Sequence, residues 1–140
     1  MRKRYIVIII VILVLALGFI SAKILLSRSE ANLKNLAHSE ISDVDLTSAE
    51  DGDYFGSYSA FPVSAEVNVT IKNHAIIEIE LIKHNNGQGK RAEIIPDKVT
   101  DAQSLTVDSI SGATYSSKVI LKAIQDALVK AGAKPLSQTD

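Results

Sequence analysis

The sequence predicts an α+β protein: a small antiparallel sheet packed by a C-terminal helix and preceded by a single N-terminal transmembrane helix. Three observations lead to this prediction. An uncharged, mostly aliphatic run fills residues 5–22, alternating apolar and polar residues follow Gly52, and an amphipathic helical pattern follows residue 117. A period of two is typical of a strand with one buried face, whereas apolar residues three and four apart share one side of a helix.

The first segment is long enough to cross a membrane. As a helix, residues 5–22 span roughly 27 Å, close to the hydrocarbon thickness of a bilayer. Residues 24–26 extend the segment to 5–26, because Lys23 can place its ammonium at the interface. The basic tip at residues 1–4 predicts a cytoplasmic N-terminus and an exported remainder, hence a single-pass protein of the cell membrane. Small residues before position 23 also fit signal-peptide cleavage, although the length of the run favours a retained anchor.

Charge argues against one class of partner. The chain has 15 basic and 16 acidic residues, and removing the three basic residues of the tip leaves 12 against 16. Nucleic-acid binding requires a basic face, so no nucleic-acid partner is expected for this mildly acidic exported part. The chain has no cysteine, which excludes disulfides and a lipid-modified cysteine.

The exported part divides into three pieces. Residues 27–50 are polar and predict a linker with a short helix at 30–37. Residues 51–134 form the predicted domain, and residues 135–140 a C-terminal tail.

Two long strands open the predicted domain. Residues 63–72 alternate strictly, and residues 75–83 follow after a two-residue hairpin turn at Asn73-His74. His84, at the end of the second strand, could border a functional site, but it is expected to face solvent. In that strand the pattern places Ile77, Ile79 and Leu81 on one face, opposite Ile76, Glu78, Glu80 and Ile82.

Helical segments complete the domain. Residues 90–105 predict two helical pieces interrupted by Pro96, with Asp97 early in the second piece, where a carboxylate favours a helix start. The C-terminal helix is expected to end at Gly132. Its predicted buried residues are Val119, Ile120, Ala123, Ile124, Ala127, Leu128 and Ala131.

The segment 108–117, Asp-Ser-Ile-Ser-Gly-Ala-Thr-Tyr-Ser-Ser, is the part of the chain most informative about function. It is a small-residue turn rich in hydroxyls that leads into a helix. The first turn of a helix has free N–H groups and a partial positive charge, so phosphate can bind there without Lys or Arg. Ser and Thr are also ordinary helix caps, so both capping and phosphate binding remain open on spacing alone.

The stretch Asp108-Ser-Ile-Ser-Gly-Ala-Thr114 resembles the flavinylation motif of the FMN-binding domain family. That family includes the flavin-carrying subunits of sodium-pumping NADH:quinone reductases. Residues 51–56, Asp-Gly-Asp-Tyr-Phe-Gly, resemble the strand that opens such domains, and the hairpin at 67–81 resembles their central hairpin. His74 departs from the Asp-Gly that is usual at this hairpin turn. The resemblance covers roughly residues 51–131.

The resemblance implies that Thr114 accepts FMN as a phosphoester through the action of a flavin transferase. Gly112 would allow the turn and Ala113 would leave the approach uncrowded. Asp108 would shape the turn or assist the transferase. Hydroxyls that could reach the phosphate, and aromatic rings that could stack on the flavin, complete the predicted cofactor-binding set. These are Ser111, Ser116 and Ser117, and Tyr54 and Tyr115.

Three functions follow from these residues. The first is a membrane-anchored carrier of covalent FMN that relays electrons between a membrane donor and an extracellular acceptor, without catalytic residues of its own. The second is a sensory or regulatory module that binds FMN without a covalent bond. The third is a structural envelope domain in which the motif is only a helix cap.

Overall fold

A computed structural model describes residues 2–136 of the chain. Residue 1 of the predicted basic tip and residues 137–140 of the predicted tail lie outside this range. The structure has an N-terminal apolar helix, a small antiparallel sheet and a C-terminal helix, which confirms the predicted α+β class. Two short 3₁₀ helices occupy Leu46–Ser48 and Lys90–Ile94. The elements are α1 (Arg2–His38), β1 (Val44–Asp45), β2 (Gly52–Ala60), β3 (Val63–Lys72), β4 (Ala75–Asn85), α2 (Ile95–Ala102), α3 (Thr114–Lys130) and β5 (Lys134–Pro135).

Helix α1 is long and apolar enough to span a membrane. Its most apolar stretch of 18 residues has a mean hydropathy of 3.0, and none of that stretch is buried against the rest of the chain. The helix continues without interruption to His38. The segment 27–50, predicted to be a linker with a short helix, therefore starts as about three further turns of α1.

The three-stranded sheet has the order β2-β3-β4 and is antiparallel throughout. At the β3–β4 turn, Asn73 and His74 have φ values of 52° and 59°. Two left-handed residues in succession are typical of the type I′ turn that matches strand twist, which confirms the predicted hairpin despite His74. Asp51 supports the turn, because its Oδ1 accepts the Asn73 N–H at 2.8 Å.

Two bulges in β4 change which of its side chains are buried. Thr70 and Ile71 pair with Glu78 and Ile76, and the extra residue Ile77 bulges outward. The predicted grouping of Ile77 with Ile79 on one face is therefore wrong: the Ile77 side chain is 55 % exposed, whereas Ile76 and Ile79 are buried. Each bulge inserts one unpaired residue and so reverses the alternation beyond it, which periodicity alone does not reveal.

The second bulge, at Ile82, turns His84 inward. Glu66 and Val67 pair with Lys83 and Leu81, and His84 then lies opposite the buried Ala65. The His84 side chain is 2 % exposed. The expectation that this residue faces solvent is wrong, because the bulge adds one residue before it.

Helix α3 covers one face of the sheet and supplies the centre of the core. All seven residues predicted for its apolar side are buried, and Leu121 is buried with them. The helix lies closest to β2 at Gly56, where a Cβ atom would fall 2.7 Å from the backbone nitrogen of Ala127 and closer still to the carbonyl oxygen of Ala123. Only glycine permits this approach.

Side chains of α3 also cover the free edge of β2. Asp126 Oδ2 accepts the Ser57 N–H at 3.0 Å, and Lys130 Nζ donates to Phe55 O at 3.0 Å and to Asp126 Oδ2 at 2.7 Å. Burial alone would raise the pKa of Asp126, but the hydrogen bonds from Lys130 and Ser57 outweigh it and the pKa is lowered. The ion pair thus satisfies backbone groups that an edge strand would otherwise present to other chains.

The two ends of the domain are joined by a small second sheet. Val44 and Asp45 of β1 pair with Pro135 and Lys134 of β5. Each strand has two residues, too few for any periodic signal in the sequence. This pairing brings residues 44–45 into the domain, although they fall in the predicted linker.

Candidate functional site

The segment 108–117 forms a turn that ends at the first residue of α3. Thr114 begins the helix and is exposed. Gly112 has a φ of +76°, and a Cβ atom built there would meet nothing within 4 Å. The glycine therefore adopts a left-handed conformation, and it leaves open space beside Thr114.

Ser117 holds this turn together from inside. Its side chain is fully buried, and its hydroxyl donates to Ala113 O at 2.9 Å while accepting the Ile110 N–H at 2.9 Å. Ala113 is also buried, and its N–H donates to Ile110 O at 2.9 Å. The hydroxyl of Ser117, predicted to contact phosphate, is used within the protein to shape the turn.

Ser116 contributes to a depression beside Thr114. Its side chain is 2 % exposed and its hydroxyl lies 3.5 Å from Asn86 O, across from the β4–α2 loop. At Gly89 in that loop, a Cβ atom would come within 2.6 Å of Ser116 Cβ. Glycine at position 89 therefore allows the loop to lie against the start of α3. The depression is lined by Val63, Asn86, Gln88, Gly89, Gly112, Ala113, Thr114, Tyr115 and Ser116.

A second depression lies on the other side of Thr114. It is lined by Ala37 together with Gly112, Thr114 and Tyr115, and has a volume of about 360 Å³. Ala37 belongs to the last turn of α1. The exposed Thr114 is thus flanked by the β4–α2 loop on one side and by the end of the apolar helix on the other.

The start of α3 suits an anion. Within residues 2–136, the N–H groups of Thr114, Tyr115 and Ser116 have no backbone acceptor. Free N–H groups of a first helical turn point along the axis toward the end of the helix and carry partial positive charge. Lys118 lies one turn later and adds a full positive charge on the same helix. A phosphate beside Thr114 would meet these groups, so the residues present fit a phosphate-bearing cofactor.

Not all the predicted residues gather here. Ser111 and Asp108 are exposed in the preceding turn, and Tyr115, which is 41 % exposed, lines both depressions. Tyr54 pairs with Val69 near the start of the edge strand β2, six residues from Ala60 at its other end. At the rise of a strand, six residues correspond to roughly 20 Å, so Tyr54 is far from the depressions.

Sequence reasoning missed the residues that reach the site from other elements. Ala37, Asn86 and Gly89 carry no motif, and each is brought there by tertiary packing. A Gly in a polar loop is a weak local signal, and the only hint at Gly89 was the Asn-Asn-Gly-Gln-Gly composition of its loop.

Behind the first depression lies a small polar cluster. Glu93 Oε1 lies 3.3 Å from His84 Nδ1 and accepts a 3.3 Å hydrogen bond from Asn86 Nδ2. Among the described residues, His84 Nε2 is the only buried side-chain nitrogen or oxygen with no hydrogen-bond partner. The cluster ties Asn86, which lines the depression, to the inward face of β4. No group of three or more His, Asp or Glu side chains in residues 2–136 is arranged to hold a metal ion.

Comparisons with known proteins agree with this geometry. A family model described as the FMN-binding domain matches residues 62–129, a range that contains the whole turn and most of α3. The NADH:acrylate oxidoreductase of Vibrio harveyi is 38 % identical to this chain over 69 residues. The aligned stretch is 47 % of this chain but only 7 % of that protein, so the similarity concerns one small part of a much longer oxidoreductase.

Proposed function

We propose that Thr114 carries FMN as a phosphoester and that the chain relays electrons at a membrane surface, on the premise that residues 62–129, which match the FMN-binding domain family, bind this cofactor. The cofactor itself follows from the family, as the resemblance of the motif predicted. We propose the covalent bond, the direction of electron flow and the membrane topology in addition to this cofactor.

The observation that carries the proposal is the position of the Thr114 hydroxyl. It lies on an exposed residue at the first position of α3, beside the open space left by Gly112. Ser116 and Ser117 are buried, and the hydroxyl of Ser117 already has two partners in the turn. Of the aliphatic hydroxyls in the first turn of α3, that of Thr114 is thus the one open to a large reactant.

The start of α3 favours a phosphodiester at this place. Such a phosphate keeps one negative charge, which the free N–H groups of the first turn stabilise. Thr114 Oγ1 would form its bond to the phosphorus of an activated flavin nucleotide, lose its proton, and displace the rest of that nucleotide. A separate flavin transferase would catalyse this step.

FMN supplies one- and two-electron chemistry, and the protein supplies its position. Tyr115 is exposed beside both depressions and offers the aromatic surface nearest to the acceptor. Attachment through the phosphate leaves the ring free to react. Similarity to a part of an oxidoreductase supports a role as one electron-carrying component of such a system rather than as a complete enzyme.

The helix α1 supports a location at the membrane. With the basic residues Arg2, Lys3 and Arg4 at its start, the positive-inside rule favours a cytoplasmic N-terminus and a flavin domain outside the cytoplasm. A covalent bond has a physical advantage there, because a dissociated cofactor would be lost by dilution. The donor is then a redox component in or at the membrane, and the acceptor is extracellular.

Intact-mass measurement of the full chain tests the covalent bond. The chain is produced with and without a flavin transferase and purified in detergent. With the transferase, its mass should increase by one FMN less one water. Thr114→Val should abolish this increase, Thr114→Ser should retain it, and Ser111→Ala, which removes an exposed hydroxyl of the same turn, should leave it unchanged.

The other outcomes identify the alternatives. Yellow protein with an unmodified mass, whose FMN is released by mild denaturation, would replace the covalent carrier with a non-covalent FMN-binding module. Retention of the mass increase in Thr114→Val would move the acceptor to another residue. Absence of any flavin from the wild-type chain in both preparations would refute the proposed function.

A further inference from the structure

The last turn of α1 is built into the domain rather than attached to it by a flexible tether. Leu36 is 2 % exposed and belongs to the hydrophobic core, and Leu33, one turn earlier, packs partly against that core. The apolar segment predicted to cross the membrane ends near Leu26. Ala37 follows 11 residues later in the same unbroken helix, about 17 Å along its axis.

Three side chains on one side of α3 hold the chain that follows. Lys118 Nζ donates to Ala37 O at 2.5 Å and to Ser39 O at 2.6 Å. Lys122 Nζ donates to Glu40 O at 2.9 Å, and Gln125 Nε2 donates to Ser42 O at 3.2 Å. These three residues of α3 therefore bind the backbone from residue 37 to residue 42 in order along the helix.

Of these three contacts, that of Lys118 is expected to provide the largest electrostatic stabilisation. The last carbonyl groups of a helix lack intrahelical partners and carry partial negative charge. An ammonium group donates hydrogen bonds to these carbonyl groups and compensates their charge. Lys118 is half-buried, whereas the Lys122 contact is exposed. The charge of Lys118 thus fixes the end of α1 against the first turns of α3.

This contact has a consequence for Thr114. Ala37, whose carbonyl oxygen Lys118 holds, lines the depression that Thr114, Gly112 and Tyr115 line from the other side. Lys118 also follows Thr114 by four residues, which places the two on the same side of α3 one turn apart. The end of the membrane helix therefore lies directly beside the proposed acceptor.

From this juxtaposition we propose that the last turn of α1 is a wall of the flavin site, that Lys118 is the residue that positions it, and that loading of Thr114 with FMN depends on both. The inference rests on the proposed function, because it concerns the same acceptor. It also implies that the flavin is held at a fixed distance from the membrane, since an unbroken helix leads from the bilayer to the site.

Matched variants of the full chain in detergent test this wall. Lys118→Met removes the charge but keeps the length of the side chain, and Lys118→Arg restores charge and donors. Lys122→Met is the control, because it removes an equivalent contact one turn further from Thr114. Ala37→Leu fills the depression, and Lys34→Leu, at an exposed position one turn earlier on α1, is its control.

The rate of FMN incorporation by the transferase is followed by intact mass, and folding is checked by thermal unfolding. Lys118→Met and Ala37→Leu should slow incorporation by about tenfold or more, since small displacements of reacting groups cost rate steeply. Lys118→Arg, Lys122→Met and Lys34→Leu should remain within about twofold of wild type. Hydrogen exchange, a readout that needs no flavin, should be faster at residues 37–40 in Lys118→Met than in Lys122→Met.

Wild-type rates in both Lys118→Met and Ala37→Leu would overturn the inference while leaving covalent FMN on Thr114 intact. If Lys118→Met fails to fold, Ala37→Leu decides alone, because its side chain adds volume without removing a contact. Equal slowing by Lys122→Met would likewise overturn it, since that result would mean general destabilisation of α3. Failure of wild type to incorporate FMN would instead refute the proposed function.

Discussion

Replacing Gly56 by alanine should displace α3 from the sheet. The added Cβ atom would lie 2.7 Å from Ala127 N and 2.8 Å from Ala127 Cβ, and closer still to Ala123 O. Ordinary contacts of a Cβ atom begin near 3.4 Å, so the helix and β2 must separate by more than half an ångström. Two of the three neighbours are backbone atoms, which cannot move aside by a change of rotamer.

The cost can be estimated from other overpacked cores. Inserting one methyl group into a packed core typically costs about 1–3 kcal/mol, and two rigid backbones place Gly56→Ala at about 3 kcal/mol. A small domain has roughly 5–15 kcal/mol of total stability. Since 1 kcal/mol corresponds to roughly 4–8 °C in a domain of this size, the melting temperature should fall by about 12–24 °C.

The assay is thermal unfolding of the full chain in detergent, followed by the near-ultraviolet signal of its tyrosines. Ser57→Ala, the next residue along β2, is the control, because its exposed side chain makes no recorded hydrogen bond within residues 2–136 and its backbone N–H is retained. An unchanged melting temperature in Gly56→Ala would refute the close approach of α3 to β2. A fall of similar size in Ser57→Ala would assign the effect to β2 itself.

Three further predictions concern single polar side chains. Ser117→Ala leaves the Ile110 N–H without its acceptor and should lower the free energy of unfolding by about 1–3 kcal/mol, measured in urea; an unchanged midpoint would contradict this. Asp126 has a lowered pKa in the folded state, so its stabilising effect is present above the unfolded value near 3.9 and is lost as the pH falls through the folded pKa. Because its side chain is 38 % exposed, that effect should be roughly 0.5 kcal/mol. In a pH series from 3 to 6, the free energy of unfolding of Asp126→Asn should lie below that of wild type at pH 6 and approach it at pH 3. A difference that stays constant with pH would refute this prediction. His84→Leu removes the unpartnered Nε2 together with the long 3.3 Å contact of Nδ1 with Glu93, and it should raise the free energy of unfolding by up to about 1 kcal/mol. A clear decrease would show that the polar contacts of His84 outweigh the cost of its buried nitrogen.

Elements whose sequences have a long periodic pattern could be predicted from local sequence alone. The strand at 63–72, the turn at Asn73-His74 and the buried side of α3 all follow from residues close together in the chain. The faces of β4 did not follow, because each bulge shifts the alternation by one residue. A bulge depends on the pairing with β3, and the sequence of β4 alone contains no sign of it.

The candidate site likewise contains residues that the sequence predicted and residues that it did not. Gly112 and Thr114 belong to one motif, and the structure places both beside the same open space. Ala37 is separated from Thr114 by 77 positions, and the Lys118 contact that holds it there spans 81. Contacts at such separations depend on how whole elements pack. The polar segment that follows the apolar part of α1 therefore has the composition of a linker, although it is bound to α3.

Helix α3 joins three parts of the protein that the sequence presents separately. Its apolar side packs on the sheet at Gly56, its first residue is the proposed acceptor, and a third side holds the end of α1 through Lys118. A rigid helix that shifts at one of these contacts must shift at the others. Gly56→Ala lies roughly a strand's length from Thr114, yet it should also slow FMN incorporation and expose residues 37–40 to hydrogen exchange. Joint loss of these properties would show that the anchor and the flavin site are coupled through α3, whereas loss of stability with normal incorporation would show that they are independent.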